Sequence, residues 1–191
     1  MNVLLLGPQG SGKGTQAKRI SEEYGVPHIA TGDMLRATIE ADTPLGRTLK
    51  PILDSGRLVS DDLMIQLIRN RLEEPDAAEG FVLDGFPRTW AQARALDAML
   101  REIGRDLDVV FELQTSDGVS TERLLKRARE ESRADDTPEV IAERLATYHR
   151  ETEPLVEHYR TSGNLVGIHA ARSINEVFSE IQDALEQVAV R

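Results

Sequence analysis

Apolar residues gather along this chain in short runs, set apart by longer amphipathic stretches. The runs are Val3 to Leu6, Pro27 to Ala30, Phe81 to Asp84, Val109 to Leu113 and Leu165 to His169. Between them lie helix-like segments at Gly12 to Tyr24, Asp61 to Leu72, Thr89 to Ile103, Asp117 to Arg129 and Pro138 to Tyr159. Short apolar runs suit strands covered on both faces, and their alternation with helices predicts βαβ units. The expected fold is α/β: a three-layer α/β/α arrangement around a five-stranded parallel sheet. The chain reads as one domain over 1–191, without internal repeats or low-complexity linkers. Two stretches read as insertions, at about 30–59 and about 127–136. The first carries its own helices, with Pro44, Gly46 and Gly56 as turn residues. The second is almost entirely polar, so it is expected in solvent or on a ligand rather than in a core.

Composition narrows the chemistry. Apolar residues are 40% and charged residues 29% of the chain, as in an ordinary soluble globular protein. With no Cys, disulfides, thiolate metal sites and a cysteine nucleophile are excluded. His28, His149, His158 and His169 follow no metal-ligand spacing and read as surface or packing residues. The run after Met1 is too short for a signal peptide or a membrane span, which predicts a cytoplasmic protein with no membrane partner. A formal net charge of −10 repels the nucleic-acid backbone, so no nucleic-acid partner is expected. If the ligand is itself a polyphosphate anion, the basic residues must be concentrated where it sits.

That concentration begins after the first strand. Val3-Leu4-Leu5-Leu6 runs into Gly7-Pro8-Gln9-Gly10-Ser11-Gly12-Lys13-Gly14-Thr15 and then a helical pattern. This is a P-loop context of strand, glycine-rich turn and helix start. Glycines let backbone N–H groups turn inward around an anion, the helix N-terminus adds partial positive charge, and Lys13 can reach the β- and γ-phosphates. The general motif has Ser or Thr directly after the lysine, whereas here Gly14 precedes Thr15.

Three further segments narrow the reading: Thr31-Gly32-Asp33-Met34-Leu35-Arg36, Gly56-Arg57-Leu58-Val59-Ser60-Asp61 and Asp84-Gly85-Phe86-Pro87-Arg88-Thr89. With the Gly-x-Gly-Lys-Gly-Thr form of the loop, they resemble the signature segments of the adenylate kinase family in the same order and spacing. The likeness runs over essentially the whole chain. It implies phosphoryl transfer from MgATP to AMP, giving two ADP, in adenine-nucleotide homeostasis. No exposed apolar seam stands out along the sequence, so a monomer is expected. It also implies an AMP site made of Thr31, Arg36, the backbone of Arg57, Leu58 and Val59, the segment Gly85, Phe86, Pro87 and Arg88, and Gln92. The implied ATP site comprises Gly10, Ser11, Gly12, Lys13, Gly14 and Thr15, with Arg123, Arg127 and the backbone carbonyl of Arg172. Arg133 and Arg144 match arginines that clamp the transferring group and touch the AMP side. Lys13, Arg88, Arg123, Arg133 and Arg144 are the implied catalytic set. Compared with long-lid relatives, the stretch between Arg127 and Arg133 is very short, which implies a form without zinc.

The chemistry suits those roles. Phosphoryl transfer needs alignment and cancellation of charge more than covalent help, and a guanidinium matches a phosphate better than an ammonium does. Arg123 and Arg127 are four residues apart on a predicted helix, where like charges cost a few tenths of a kcal/mol. An anion over the pair would offset that cost. Asp84 closes an apolar strand at the carboxyl edge, where it can hold Mg²⁺ through water. Asp33 could cap its helix or influence the metal, and Trp90 and Phe86 read as packing residues. The AMP phosphate is already anionic, so no general base is required. Water is the competing acceptor, and the two insertions are expected to close as lids that exclude it. Three alternatives stay open: a UMP or CMP kinase, a nucleotide-binding scaffold without turnover, and a P-loop hydrolase.

Overall fold

The five apolar runs pair side by side in the computed structural model, which describes residues 1–130 and 136–189. The strands are β1 (Asn2–Leu6), β2 (His28–Ala30), β3 (Phe81–Asp84), β4 (Val109–Gln114) and β5 (Leu165–His169). They form one sheet in the order β2-β3-β1-β4-β5, and every pairing is parallel. Successive side chains of a strand point to opposite faces, and here both faces are covered. Leu4 and Leu6 of β1 join one core cluster with Phe81, Leu83, Leu96 and Tyr159. Val3 and Leu5 join the other, with Ile20, Phe111, Phe178 and Ile181. Residues two apart in the same strand thus anchor the same layer, which gives the expected α/β/α sandwich.

The helices are α1 (Lys13–Tyr24), α2 (Thr31–Glu40), α3 (Pro44–Asp54), α4 (Asp61–Leu72), α5 (Trp90–Glu102), α6 (Asp117–Glu130), α7 (Pro138–Thr147), α8 (Leu155–Ser162) and α9 (Ile174–Ala189). Local chemistry sets several of their ends. Thr43, Thr89 and Thr137 accept bonds from Gly46, Gln92 and Val140 N–H respectively, as N-caps do. Gly25 and Gly163 end α1 and α8 in the left-handed conformation that costs other residues most.

Two local expectations are revised. The stretch Pro138 to Tyr159 is not one helix: a π-helical segment (Tyr148–Thr152) follows α7, and α8 begins only after Pro154. Pro154 has no N–H to continue the ladder, and the wider turn before it absorbs the break. Gly46 is not a turn residue but lies in the first turn of α3. A Cβ there would stand 2.3 Å from the Thr38 carbonyl oxygen, so α2 and α3 approach more closely than a side chain permits. Gly56 does occupy a turn, at φ 73°.

Candidate active site

Strand register brings the motifs to one edge. In the sheet, Asp84 is level with Leu5 of β1 on one side and Ala30 of β2 on the other. The loop that starts at Gly7 and the helix that starts at Thr31 therefore both leave the sheet beside Asp84. From there β1 leads towards β2 and β4 leads the other way to β5, the divergence at which α/β sheets bind ligands.

The loop is held by close backbone approaches. Cβ atoms added to Gly7 and Gly10 would stand 2.7 Å from the Leu113 oxygen and 2.5 Å from the Ser120 oxygen, at φ 139° and 82°. Gly12 is the N-cap of α1, at φ 98°, and provides no side-chain cap. The first N–H groups of α1 are thereby kept for an anion rather than for a capping oxygen. Lys13 Nζ donates to the Gly7 and Pro8 carbonyls at 2.7 and 2.8 Å. Burial lowers its pKa to about 8; Asp84 opposes that shift, while Arg88 and Arg127 add to it.

Asp84 is a part-buried carboxylate between cations. Burial alone would raise its pKa, but His28, Lys13 and Arg88 outweigh that and hold it below the ordinary range. His28 Nε2 lies 3.8 Å from Asp84 Oδ2. The sequence reading placed His28 among surface or packing residues; it stands in the site, and a polar residue in a buried strand was the available signal. Among the described residues no group of three or more His, Asp or Glu is placed to hold a metal by itself. One carboxylate with no protein cage suits a cation that keeps its water shell and meets phosphate oxygens.

On the β2 side, Thr31 Oγ1 donates to the Asp84 carbonyl at 3.3 Å. Arg88 Nε donates to the Gly85 carbonyl at 2.8 Å. Burial lowers the Arg88 pKa, Asp84 opposes it, and Arg144 and Arg36 reinforce it, which marks three guanidinium groups converging on one region. Arg36 is paired with Asp33, and no side chain caps α2. Arg57 Nε donates to Ser55 Oγ. Gln92 is 2% exposed and is held by Arg88 N–H and Asp61. Phe86 is wholly buried in the core, while Trp90 is 46% exposed and meets His158 edge-on.

On the β4 side, Arg123 donates to the carbonyl oxygens of Ser11 and Arg172, at 3.3 and 3.4 Å. The Arg172 side chain pairs with Glu180. Arg127 donates from Nε and Nη2 to Asp136 at 2.8 and 3.0 Å, and Arg144 Nη1 donates to Asp136 Oδ1 at 2.6 Å. Arg123 and Arg127 thus have separate protein acceptors, and both line the same cavity. Asp136, in a stretch expected in solvent or on a ligand, has a fully buried side chain. Arg133 lies outside the described residues.

One cavity of about 1040 Å³ joins the loop to both sides. Its lining runs from Gly10 to Thr15, through Thr31, Arg36, Arg57 to Val59, Asp84, Gly85, Pro87, Arg88 and Gln92, to Arg123, Arg127, Arg144 and Arg172. That volume is at the upper end of the range for small-ligand pockets. Asp61, Asp136 and Thr152, whose hydroxyl donates to the Arg88 carbonyl at 2.9 Å, are supporting residues the sequence reading did not single out. Asp61 lay within a quoted motif; Asp136 and Thr152 carried no local signal.

Comparison with known proteins agrees with this geometry. A family model described as adenylate kinase matches residues 5–164. An adenylate kinase of Stenotrophomonas maltophilia (strain K279a) is 46% identical over 186 residues, covering 97% of this chain and all of its own. One from Caulobacter vibrioides (strain NA1000 / CB15N) is 47% identical over 189 residues, 99% of each chain. A third, from Cyanothece sp. (strain PCC 7425 / ATCC 29141), is 46% identical over 186 residues, covering 97% of this chain and 95% of its own. With its fold, its converging arginines and this full-length likeness, the chain belongs to the adenylate kinase family of nucleoside-monophosphate phosphotransferases.

Proposed function

We propose that this protein transfers the γ-phosphoryl group of MgATP to AMP, reversibly, giving two ADP. One observation carries the reading: a single cavity joins the glycine loop to the Thr31, Arg88 and Gln92 cluster, with Lys13, Arg123, Arg127 and Arg144 lining the path between. ATP lies along the loop, with its phosphates on the N–H groups before α1 and its adenine towards the Arg172 carbonyl. AMP lies against Thr31, the backbone at 57–59 and Gln92, with its phosphate on Arg36 and Arg88. The reacting atoms then meet beside Asp84 and Lys13.

Each group has a physical task. The guanidinium groups spread positive charge around the transferring phosphoryl as it carries its charge on three equatorial oxygens. Lys13 neutralises the β- and γ-phosphates. Asp84 would hold Mg²⁺ through water, and that ion would supply charge neutralisation on the ATP phosphates. The acceptor phosphate is an anion at neutral pH, so alignment replaces base catalysis. Helices α2 and α3 form a cover that excludes water as the competing acceptor; of the second cover expected at 127–136, residues 131–135 lie outside the described residues. The protein works without zinc and as a cytoplasmic monomer; sedimentation tests the monomer.

The test is ADP formation from ATP and Mg²⁺ with AMP, UMP, CMP, GMP or water as acceptor. Two ADP per ATP consumed, with AMP alone, is the expected result. Preference for UMP or CMP overturns the acceptor assignment, and consumption with water alone overturns the transferase reading.

A further inference from the structure

Asp61 opens α4, and Thr89 caps α5, whose first turn contains Gln92. The three side chains form a closed set of bonds. Thr89 Oγ1 donates to Asp61 Oδ1 at 2.9 Å, and Gln92 Nε2 donates to the same oxygen at 2.8 Å. The other end of the amide, Gln92 Oε1, accepts the Arg88 backbone N–H at 2.8 Å. A backbone N–H only donates and an ionised carboxylate only accepts. The amide therefore has one orientation: oxygen towards Arg88, nitrogen towards Asp61. One N–H and one oxygen lone pair of Gln92 remain for the cavity that it lines.

We propose that Asp61 is a specificity-determining positioning residue, which locks the Gln92 amide so that it reads adenine and rejects 6-oxopurines. Adenine presents a donor at its 6-amino group and an acceptor at N1. Hypoxanthine and guanine present the reverse, an acceptor at O6 and a donor at N1. A freely turning amide satisfies either base by rotating half a turn. A locked amide leaves two like groups facing each other when the wrong base enters, and unpaired buried polar groups are what make such rejection strong. Asp61 touches no substrate. Its contribution passes through Gln92, and the proposal rests on the reading that Gln92 faces the acceptor base.

The experiment measures steady-state kinetics with AMP and with inosine monophosphate, at varied ATP, for the native protein and Asp61→Ala, Asp61→Asn and Gln92→Leu. For Asp61→Ala the AMP KM should rise and the AMP-over-inosine ratio of kcat/KM should fall, each by about tenfold, with the ATP KM unchanged. Asp61→Asn keeps an oxygen that accepts from both Thr89 and Gln92, and it should restore most of the ratio. Equal losses for both acceptors in Asp61→Ala, with the ratio unchanged, overturn the proposal, because a merely structural role would give that result. If Asp61→Ala does not fold, Asp61→Glu moves the acceptor oxygen by one methylene and must shift the same ratio; no shift overturns the proposal. If Gln92→Leu leaves the ratio untouched, the placement of the acceptor base fails with it. If Gln92→Leu abolishes the ratio and Asp61→Ala does not, only the orienting role fails.

Discussion

The buried carboxylate of Asp136 joins Arg144 to Arg127, with Oδ1 2.6 Å from Arg144 Nη1 and Arg127 bonded to both oxygens. Arg127 is on α6 and Arg144 on α7, so this one anion ties together the two helices that border 131–135. It also lets two cavity-lining cations share a region, the carboxylate offsetting their mutual repulsion.

Removing Asp136 leaves those guanidinium groups facing one another in a part-buried setting. Breaking a buried pair by deleting one partner costs about 3–5 kcal/mol. Asp136→Ala should lose about that much in urea unfolding. A loss below about 1 kcal/mol would show that this link is no stronger than a surface ion pair.

Lys13 should show activity and stability pulling apart. Its lowered pKa means that the folded protein disfavours the charge it carries at neutral pH. Lys13→Met should cut turnover about 100- to 1,000-fold, the loss typical of removing one transition-state donor. Its Tm at pH 7 should nevertheless equal or exceed that of the native protein. The unfolded chain binds the Lys13 proton more tightly, so native stability rises with pH from about 8 towards 10.5, and the gap between the two proteins narrows there. A Met variant that melts far below the native protein at pH 7 contradicts this.

Gly85 cannot accept a methyl group. At φ 85° an added Cβ would stand 2.4 Å from Thr31 Oγ1. Gly85→Ala combines a left-handed strain of about 1–2 kcal/mol with displacement of the Thr31 hydroxyl. The AMP KM should rise at least about tenfold while the ATP KM stays within about twofold, each fold-change read as a binding energy. An equal change in both would place the disturbance outside the acceptor side.

His149 bridges Glu153 at 2.9 Å and Asp117 at 2.9 Å. Those two carboxylates, Glu153 first, raise its pKa. The bridge therefore stabilises fully below pH about 6.5 and is lost as pH rises through the folded-state value. Melting curves should show the native protein above His149→Gln at pH 5.5, with the two converging at pH 9. A constant difference across that range would mean that the ring acts by packing alone.

What could be read from residues alone follows from the range of the forces involved. Strands covered on both faces must be apolar throughout, so β1, β3 and β4 stand out as runs. Thr89 and Thr137 announce helix starts because a cap acts within three residues. The interruption at Tyr148–Thr152 was not legible, since a long amphipathic pattern continues across it. Nor was the role of His28, Asp61 or Asp136. Their partners lie at Asp84, Gln92 and Arg127, and only the folded chain brings these side chains within bonding distance. The loop and the flanking signatures are local, whereas the side chains that orient them are tertiary.

The sheet order has a further consequence for the chain during synthesis. The central strand β1 is made first, yet its two neighbours are β3 and β4, paired through residues 81–84 and 109–112. At about 5–20 residues per second, roughly 5–20 s pass before both edges of that strand can be covered. During that interval an apolar strand and its glycine loop are held by nothing but local helices. The nascent chain is then at its most prone to associate with others, and its folding is set by long-range closure rather than by helix formation.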